Sequence, residues 1–179
     1  PPARPRPCRP GSAVRFATFR FPISKPLCDA RAPTSASALD GHSAMTILAF
    51  GINETPRLGE GWHEREPWGG GRAYRNTSER AFVPLDPAWA GRPVAVLLSP
   101  NATGADGRMT LTLRVGGRTL ARIEARDDRW RLVEATLPAT LEDGDALELA
   151  AEPVSVPDRV LHNGDRRRLG ARVAAIRFG

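Results

Sequence analysis

The run Met109-Thr-Leu-Thr-Leu-Arg-Val115, then Gly116-Gly117, then Arg118-Thr-Leu-Ala-Arg-Ile-Glu124 reads as a β-hairpin. Met109, Leu111, Leu113 and Val115 alternate with polar residues, so one face of that strand is buried and the other is not. The paired glycines supply the positive φ values of a two-residue hairpin turn. With that turn Leu113 faces Leu120. The apolar phase then slips to Ala121, Ile123 and Ala125, and a bulge near 120–121 would restore the core face.

The same grammar extends over the chain after Phe50, where turn residues recur about every eight to twelve positions, the spacing of a sandwich or barrel. Candidate strands are 46–50, 72–76, 79–84, 93–99, 108–115, 118–125, 129–137, 145–151 and 171–178. The phase slips again between Leu132 and Val133, which predicts a second bulge. The alanines of Leu169–Phe178 would tolerate a helix, but its Val, Ile and Phe content favours a strand. No window shows a sustained 3.6-residue period. The expected fold is all-β: a two-sheet antiparallel sandwich, jelly-roll-like, over residues 45–179. A domain of this size buries roughly two-thirds of its unfolded surface, so it needs no metal or disulfide to fold.

Residues 1–44 read differently. Eight of the 17 prolines fall there, together with a surplus of arginine and no apolar period. Such a segment cannot offset its ordering entropy by burial, so a disordered extension is expected. Met45 opens the first apolar run and is read as the natural start. The rival reading is a basic tail that contacts an anionic surface. Deleting 1–44 is expected to leave the melting temperature within about 2 °C, read by calorimetry.

The net charge of +6 is located mainly in that segment, which carries seven basic residues against Asp29 and Asp40. Residues 45–179 hold nineteen basic and eighteen acidic side chains, interspersed. A phosphate-tracking groove is therefore not indicated, and nucleic acid is not expected as a partner. No run of 18 or more apolar residues is present and no signal peptide is recognised, so membrane insertion is not expected. Both cysteines, Cys8 and Cys28, lie before residue 45, and a cytoplasmic location is expected.

Motifs that would carry chemistry fall short. His63-Glu64-Arg65-Glu66-Pro67 begins like a zinc-protease helix, but Pro67 stands where the second histidine is needed. There is no G-x-S-x-G elbow. Gly69-Gly70-Gly71 lacks the Lys-Ser/Thr of a phosphate loop and reads as a turn between strands. No catalytic residue, metal or cofactor is expected. Asn53-Glu-Thr55, Asn76-Thr-Ser78 and Asn101-Ala-Thr103 match the glycosylation sequon and are read as chance matches.

Two clusters remain. Gly61–Arg75 packs Trp62, Glu66, Trp68, Arg72, Tyr74 and Arg75 together. Aromatic faces stack on sugar rings, while arginine and carboxylate hydrogen-bond hydroxyls, so this composition suits carbohydrate. The opposing reading makes Trp62 and Trp68 core anchors and pairs the charges among themselves. The second cluster, Asp165-Arg166-Arg167-Arg168-Leu169-Gly170, reads either as a solvated turn or as a patch for phosphate or acidic sugar.

The order Gly61-Trp62, Glu66-Pro67-Trp68-Gly69, Arg72, several short strands, then Asp165 to Gly170 before a final strand resembles a β-sandwich accessory module attached to, or encoded near, bacterial surface-polysaccharide glycosyltransferases. It departs from that pattern at Asn76-Thr77-Ser78, where Trp-Ser or Trp-Thr is usual, and at Arg166, where proline is. The resemblance implies a jelly-roll-like, non-catalytic module with a glycan or a glycosyltransferase as partner. The candidate ligand-binding residues are Trp62, Glu66, Trp68, Arg72, Tyr74, Arg75, Asp165 and Arg166. The alternative is a structural or protein-interaction sandwich without a small-molecule ligand. If the first and last strands pair antiparallel, 61–75 and 164–170 meet at one end of the sheet, and at least one ion pair should join them.

Overall fold

Ten strands and one short helix build the domain in a computed structural model that describes residues 45–50 and 58–179. The expected extension 1–44 and the sequon at Asn53 lie outside the described residues. The elements run β1 Thr46–Ala49, β2 Trp62–Pro67, β3 Ala73–Thr77, β4 Arg80–Pro84, a 3₁₀ turn Pro87–Trp89, β5 Pro93–Pro100, β6 Met109–Val115, β7 Arg118–Ala125, β8 Arg131–Thr136, β9 Ala146–Glu152, α1 Pro157–Leu161 and β10 Ala171–Phe178. Every pairing is antiparallel. The larger sheet runs β2-β3-β10-β5-β8, with β1 also on β10, and the smaller runs β4-β9-β6-β7. This is the jelly-roll-like sandwich that the strand spacing predicts.

The β6–β7 hairpin turns through Gly116 and Gly117, at φ 54° and 78°. Its register shifts so that Leu113 faces Ala121 and Leu120 is the extra residue. The bulge thus sits where the apolar phase required it. The second phase slip has a different cause. The β5–β8 ladder is continuous through Leu132 and Val133. No bulge forms, and Leu132 stands 53% exposed on the outer face instead.

β10 is the spine of the larger sheet. β5 pairs along its whole length on one edge. On the other edge β3 takes Arg172 and Val173, and β1 takes Ala175 to Phe178. A register shift between Val173 and Ala175 marks the change of partner. Val173, Ile176 and Phe178 point into the core with Val94, Val96 and Leu98 of β5, against Leu147, Leu149, Leu111 and Leu113 of the smaller sheet. Phe178 is fully buried and stacks on Trp89 at 4.2 Å.

Two elements were not anticipated. Trp-His-Glu-Arg-Glu-Pro of β2 is a mostly polar edge strand, so it carries no apolar alternation to reveal it. α1 is a single turn opened by Pro157, too short to leave a period. Gly170, just before β10, explains how tightly that entry packs. A Cβ there would meet Thr77 Oγ1 and the Ser78 carbonyl oxygen.

Candidate functional site

Pairing across the larger sheet brings one polar row onto its outer face. Glu66 of β2 lies beside Tyr74 of β3. Asn76, two residues further along β3, pairs with Arg172 of β10, which pairs with Ser99 of β5. Residues two apart share a face of a strand, so these side chains stand together, opposite the core.

Hydrogen bonds join them into one network. The Glu66 carboxylate accepts from Tyr74 Oη at 2.8 Å, from Asn76 Nδ2 at 2.9 Å and from Arg167 Nη1 at 3.2 Å. Asn101 Nδ2 donates to Asn76 Oδ1 at 3.1 Å and to the Gly170 carbonyl at 2.6 Å. Arg172 Nε donates to Asn101 Oδ1 at 2.8 Å, and its Nη2 lies 3.8 Å from Asp128 Oδ2. Asp128 Oδ1 accepts the Thr103 amide at 3.0 Å. Asn76 and Asn101 are only 2% and 5% exposed, so their amides are held in single orientations by their partners.

This network floors a cleft of about 320 Å³. Its far wall is the segment 156–168. That segment is closed at its base by reciprocal backbone bonds between Ser155 and Leu169. Asp158 Oδ1 accepts the Gly164 amide and buttons the loop over α1. The wall presents Pro157, Val160 and Leu161, and the last two are 52% and 66% exposed. The cleft therefore sets fixed hydrogen-bonding groups against an apolar side. A smaller recess of about 140 Å³ lies on the outer face of the smaller sheet over Thr110, Thr112 and Ala150.

The predicted site residues divide. Glu66, Tyr74 and Asp165 line the cleft. Burial raises the Tyr74 phenol above its ordinary pKa, and its hydrogen bond to Glu66 adds to the effect. Trp62 does not belong to the cleft: its ring packs on Phe50 at 5.2 Å and its Nε1 donates to the Phe82 carbonyl, so it anchors β2 to the core. Trp68 does not line it either. The β2–β3 hairpin carries Trp68 to Trp130, which leads into β8 on the opposite edge of the sheet, and the rings stack at 4.0 Å. Arg72 covers Trp68 at 5.9 Å, and Tyr74 meets Trp130 edge-on at 6.2 Å. Trp68, Trp130 and Tyr74 thus pack on one another and brace the hairpin. Arg75 alternates with Tyr74 and points away from it, donating to the His63 carbonyl.

The expected junction between the two clusters is present. β1 pairs antiparallel with β10, Arg167 reaches Glu66, and His63 Nε2 lies 3.2 Å from the Arg168 carbonyl oxygen. The arginine that makes the ion pair is Arg167. Arg166, the predicted ligand residue, projects into solvent at 87% exposure and comes only within 3.8 Å of Asp158. The half-exposed Glu66–Arg167 pair contributes about 0–1 kcal/mol by itself. Its importance is positional.

Arg167 grips Asp165 with Nε and Nη2, and those bonds lower the Asp165 carboxyl to a pKa of about 2. A depressed carboxylate contributes stability that is present above its ordinary value and lost as pH falls through about 2. We expect the Asp165 carboxyl carbon resonance to titrate near pH 2, and near the ordinary value of about 3.9 after Arg167→Ala. A midpoint near 3.9 in the wild type would contradict the grip.

Asn76, Asn101, Asp128, Arg167 and Arg172 were not among the predicted ligand residues. Asn76 and Asn101 carried a signal of another kind, since both head sequons. Each side-chain amide is buried in the network, which leaves neither open to a glycosylating enzyme in the folded domain.

No family model matches the chain, and no curated protein matches it. Among solved structures it is similar to a family 36 carbohydrate-binding domain of a multidomain xylanase from the hindgut metagenome of Trinervitermes trinervoides, at 14% identity, 76% of this chain, 97% of that one and a TM-score of 0.41. It is similar to a family 35 carbohydrate-binding module from an environmental isolate, at 14% identity, covering 75% and 93%, with a TM-score of 0.48. A family 35 module from Clostridium thermocellum matches at 12% identity, covering 75% and 97%, with a TM-score of 0.44. Likenesses of this size assign neither a family nor a ligand.

Proposed function

We propose that the domain is a non-catalytic carbohydrate-recognition module whose ligand site is the cleft over Glu66. One observation carries this reading: a hydrogen-bond network with Glu66 and Asn101 at its joints faces an exposed aliphatic wall. A sugar ring has the matching character, with hydroxyls at its rim and C–H groups on its faces. Carboxylate and amide groups fixed in advance bind hydroxyls without first losing their own freedom. Glu66, Asp128 and Arg172 would take hydroxyls, with Asn76 and Asn101 holding them in place, and Val160, Leu161 and the Tyr74 ring would take the C–H face. Glu66, Tyr74 and Asp165 carry over from the sequence reading, while the arylated platform of Trp62 and Trp68 does not.

We also place the module beside bacterial surface-polysaccharide glycosyltransferases, as a glycan-holding accessory. The support is the motif order from Gly61-Trp62 to Gly170. The second reading, a protein-interaction sandwich, draws on Trp62 and Trp68 being packed and on Val160 and Leu161 being exposed.

Glycan-array screening followed by calorimetry tests the first reading. We expect dissociation constants of about 0.1–1 mM, since a few hydroxyl bonds must offset ligand ordering. Glu66→Ala should weaken binding at least tenfold, and Arg166→Ala should leave it unchanged. Absence of binding to bacterial surface polysaccharides at millimolar sugar would refute the glycan reading.

A further inference from the structure

The three consecutive arginines 166–168 look like an anion site in the sequence, but the fold engages each of them with an acid of its own. Arg168 Nη2 holds Glu79 at 2.7 Å. Arg166 turns outward to Asp158. Arg167 enters the cleft wall, but its Nε and Nη2 are given to Asp165 and its Nη1 to Glu66. The other cleft cation, Arg172, spends Nε on Asn101 and faces Asp128 with Nη2. The charged groups lining the cleft are thus Glu66, Asp128 and Asp165 against Arg167 and Arg172, a surplus of one negative charge.

The acids are also the better-placed acceptors. The Glu66 carboxylate receives three donors over two oxygens, which leaves lone-pair capacity. Asp128 Oδ2 has its cation at 3.8 Å, beyond hydrogen-bond reach. A sugar hydroxyl can donate to such oxygens. A uronate or phosphate brings only acceptors at its charged end, and the guanidinium N–H groups it would seek on Arg167 and Arg172 stand beside the carboxylates of Glu66, Asp165 and Asp128, which repel it.

We propose that the cleft selects neutral saccharides and discriminates against acidic ones. The proposal rests on the glycan reading and narrows it to a ligand class. It reverses the expectation that Asp165–Gly170 forms a patch for phosphate or acidic sugar.

The test is calorimetry of the full chain with methyl glycosides of glucose, galactose and mannose, each against the methyl glycoside of the matching uronic acid in the same anomeric form. These pairs differ only at the sixth carbon. We expect the neutral member of a bound pair to bind at least about tenfold tighter at low salt. Raising ionic strength from about 0.02 to 0.3 M should shrink that gap while leaving the neutral sugar's affinity unchanged, because only the repulsion is screened. Asp128→Asn keeps an acceptor for the Thr103 amide and removes the surplus charge, so it should bring the two members within about threefold. Equal or tighter binding of the uronate overturns this proposal and leaves the glycan reading standing. No binding by either member of all three pairs overturns this proposal for single sugar units, and the glycan reading then falls only if the array also shows no binding.

Discussion

Replacing Phe178 by alanine is expected to cost about 3–5 kcal/mol of unfolding free energy, the range for removing a buried phenyl ring. The ring is fully buried and stacked on Trp89, which is itself fixed by the 3₁₀ turn beginning at Pro87. Nothing at that end of the sandwich can collapse into the space without unstacking Trp89. For a domain of this size the loss corresponds to a fall in melting temperature of roughly 10–20 °C, measured by calorimetry or chemical denaturation. Phe178→Leu keeps much of the volume and should lose far less. A loss below about 1 kcal/mol for the alanine variant would mean that β10 does not seat the core as described.

Asn101→Leu should be the second most damaging change, by a different mechanism. The substitution preserves volume, so a packing argument alone predicts little effect. The hydrogen-bond argument predicts otherwise. Asn101 satisfies the Gly170 carbonyl, orients the Asn76 amide and holds Arg172 Nε. Leucine leaves a buried backbone carbonyl and part of a partly exposed guanidinium without their partners. Each such loss costs about 1–3 kcal/mol, more when a charge is involved. We expect about 3 kcal/mol in total, and at least tenfold weaker saccharide binding in the fraction that folds. A stability loss within 0.5 kcal/mol would show that water replaces the amide freely and that the network is not rigid.

The fold was legible wherever a strand has one dry face. Met109–Val115 and its partner announced their hairpin, and even the bulge at Leu120, because a period-two pattern must stay in phase with the core. β2 was not legible, since it is a polar edge strand held by β3 and anchored to the core through Trp62. Leu132 misled for a related reason: an exposed leucine mimics a change of phase. The site was legible only in part. Glu66, Tyr74 and Asp165 stood in compact motifs. Asn76, Asn101, Asp128 and Arg172 come from four separated segments, and only the ladders β3-β10-β5 bring them together. Which arginine of three adjacent ones turns inward depends on the backbone path of 164–170, and no residue pattern reports that. The tryptophans drew attention as sugar platforms, yet one braces the core and the other closes the hairpin onto Trp130.

The central claim is that the cleft over Glu66 is the saccharide site, and heteronuclear NMR tests it most directly. The probe is a neutral saccharide found to bind on the array, titrated into the labelled full chain. The account predicts shifts concentrated on the side-chain amides of Asn76 and Asn101, on Arg172 Nε, on the Thr103 amide and on the methyls of Val160 and Leu161. Shifts centred instead on the recess over Thr110, Thr112 and Ala150, or no shifts at millimolar sugar, would contradict it.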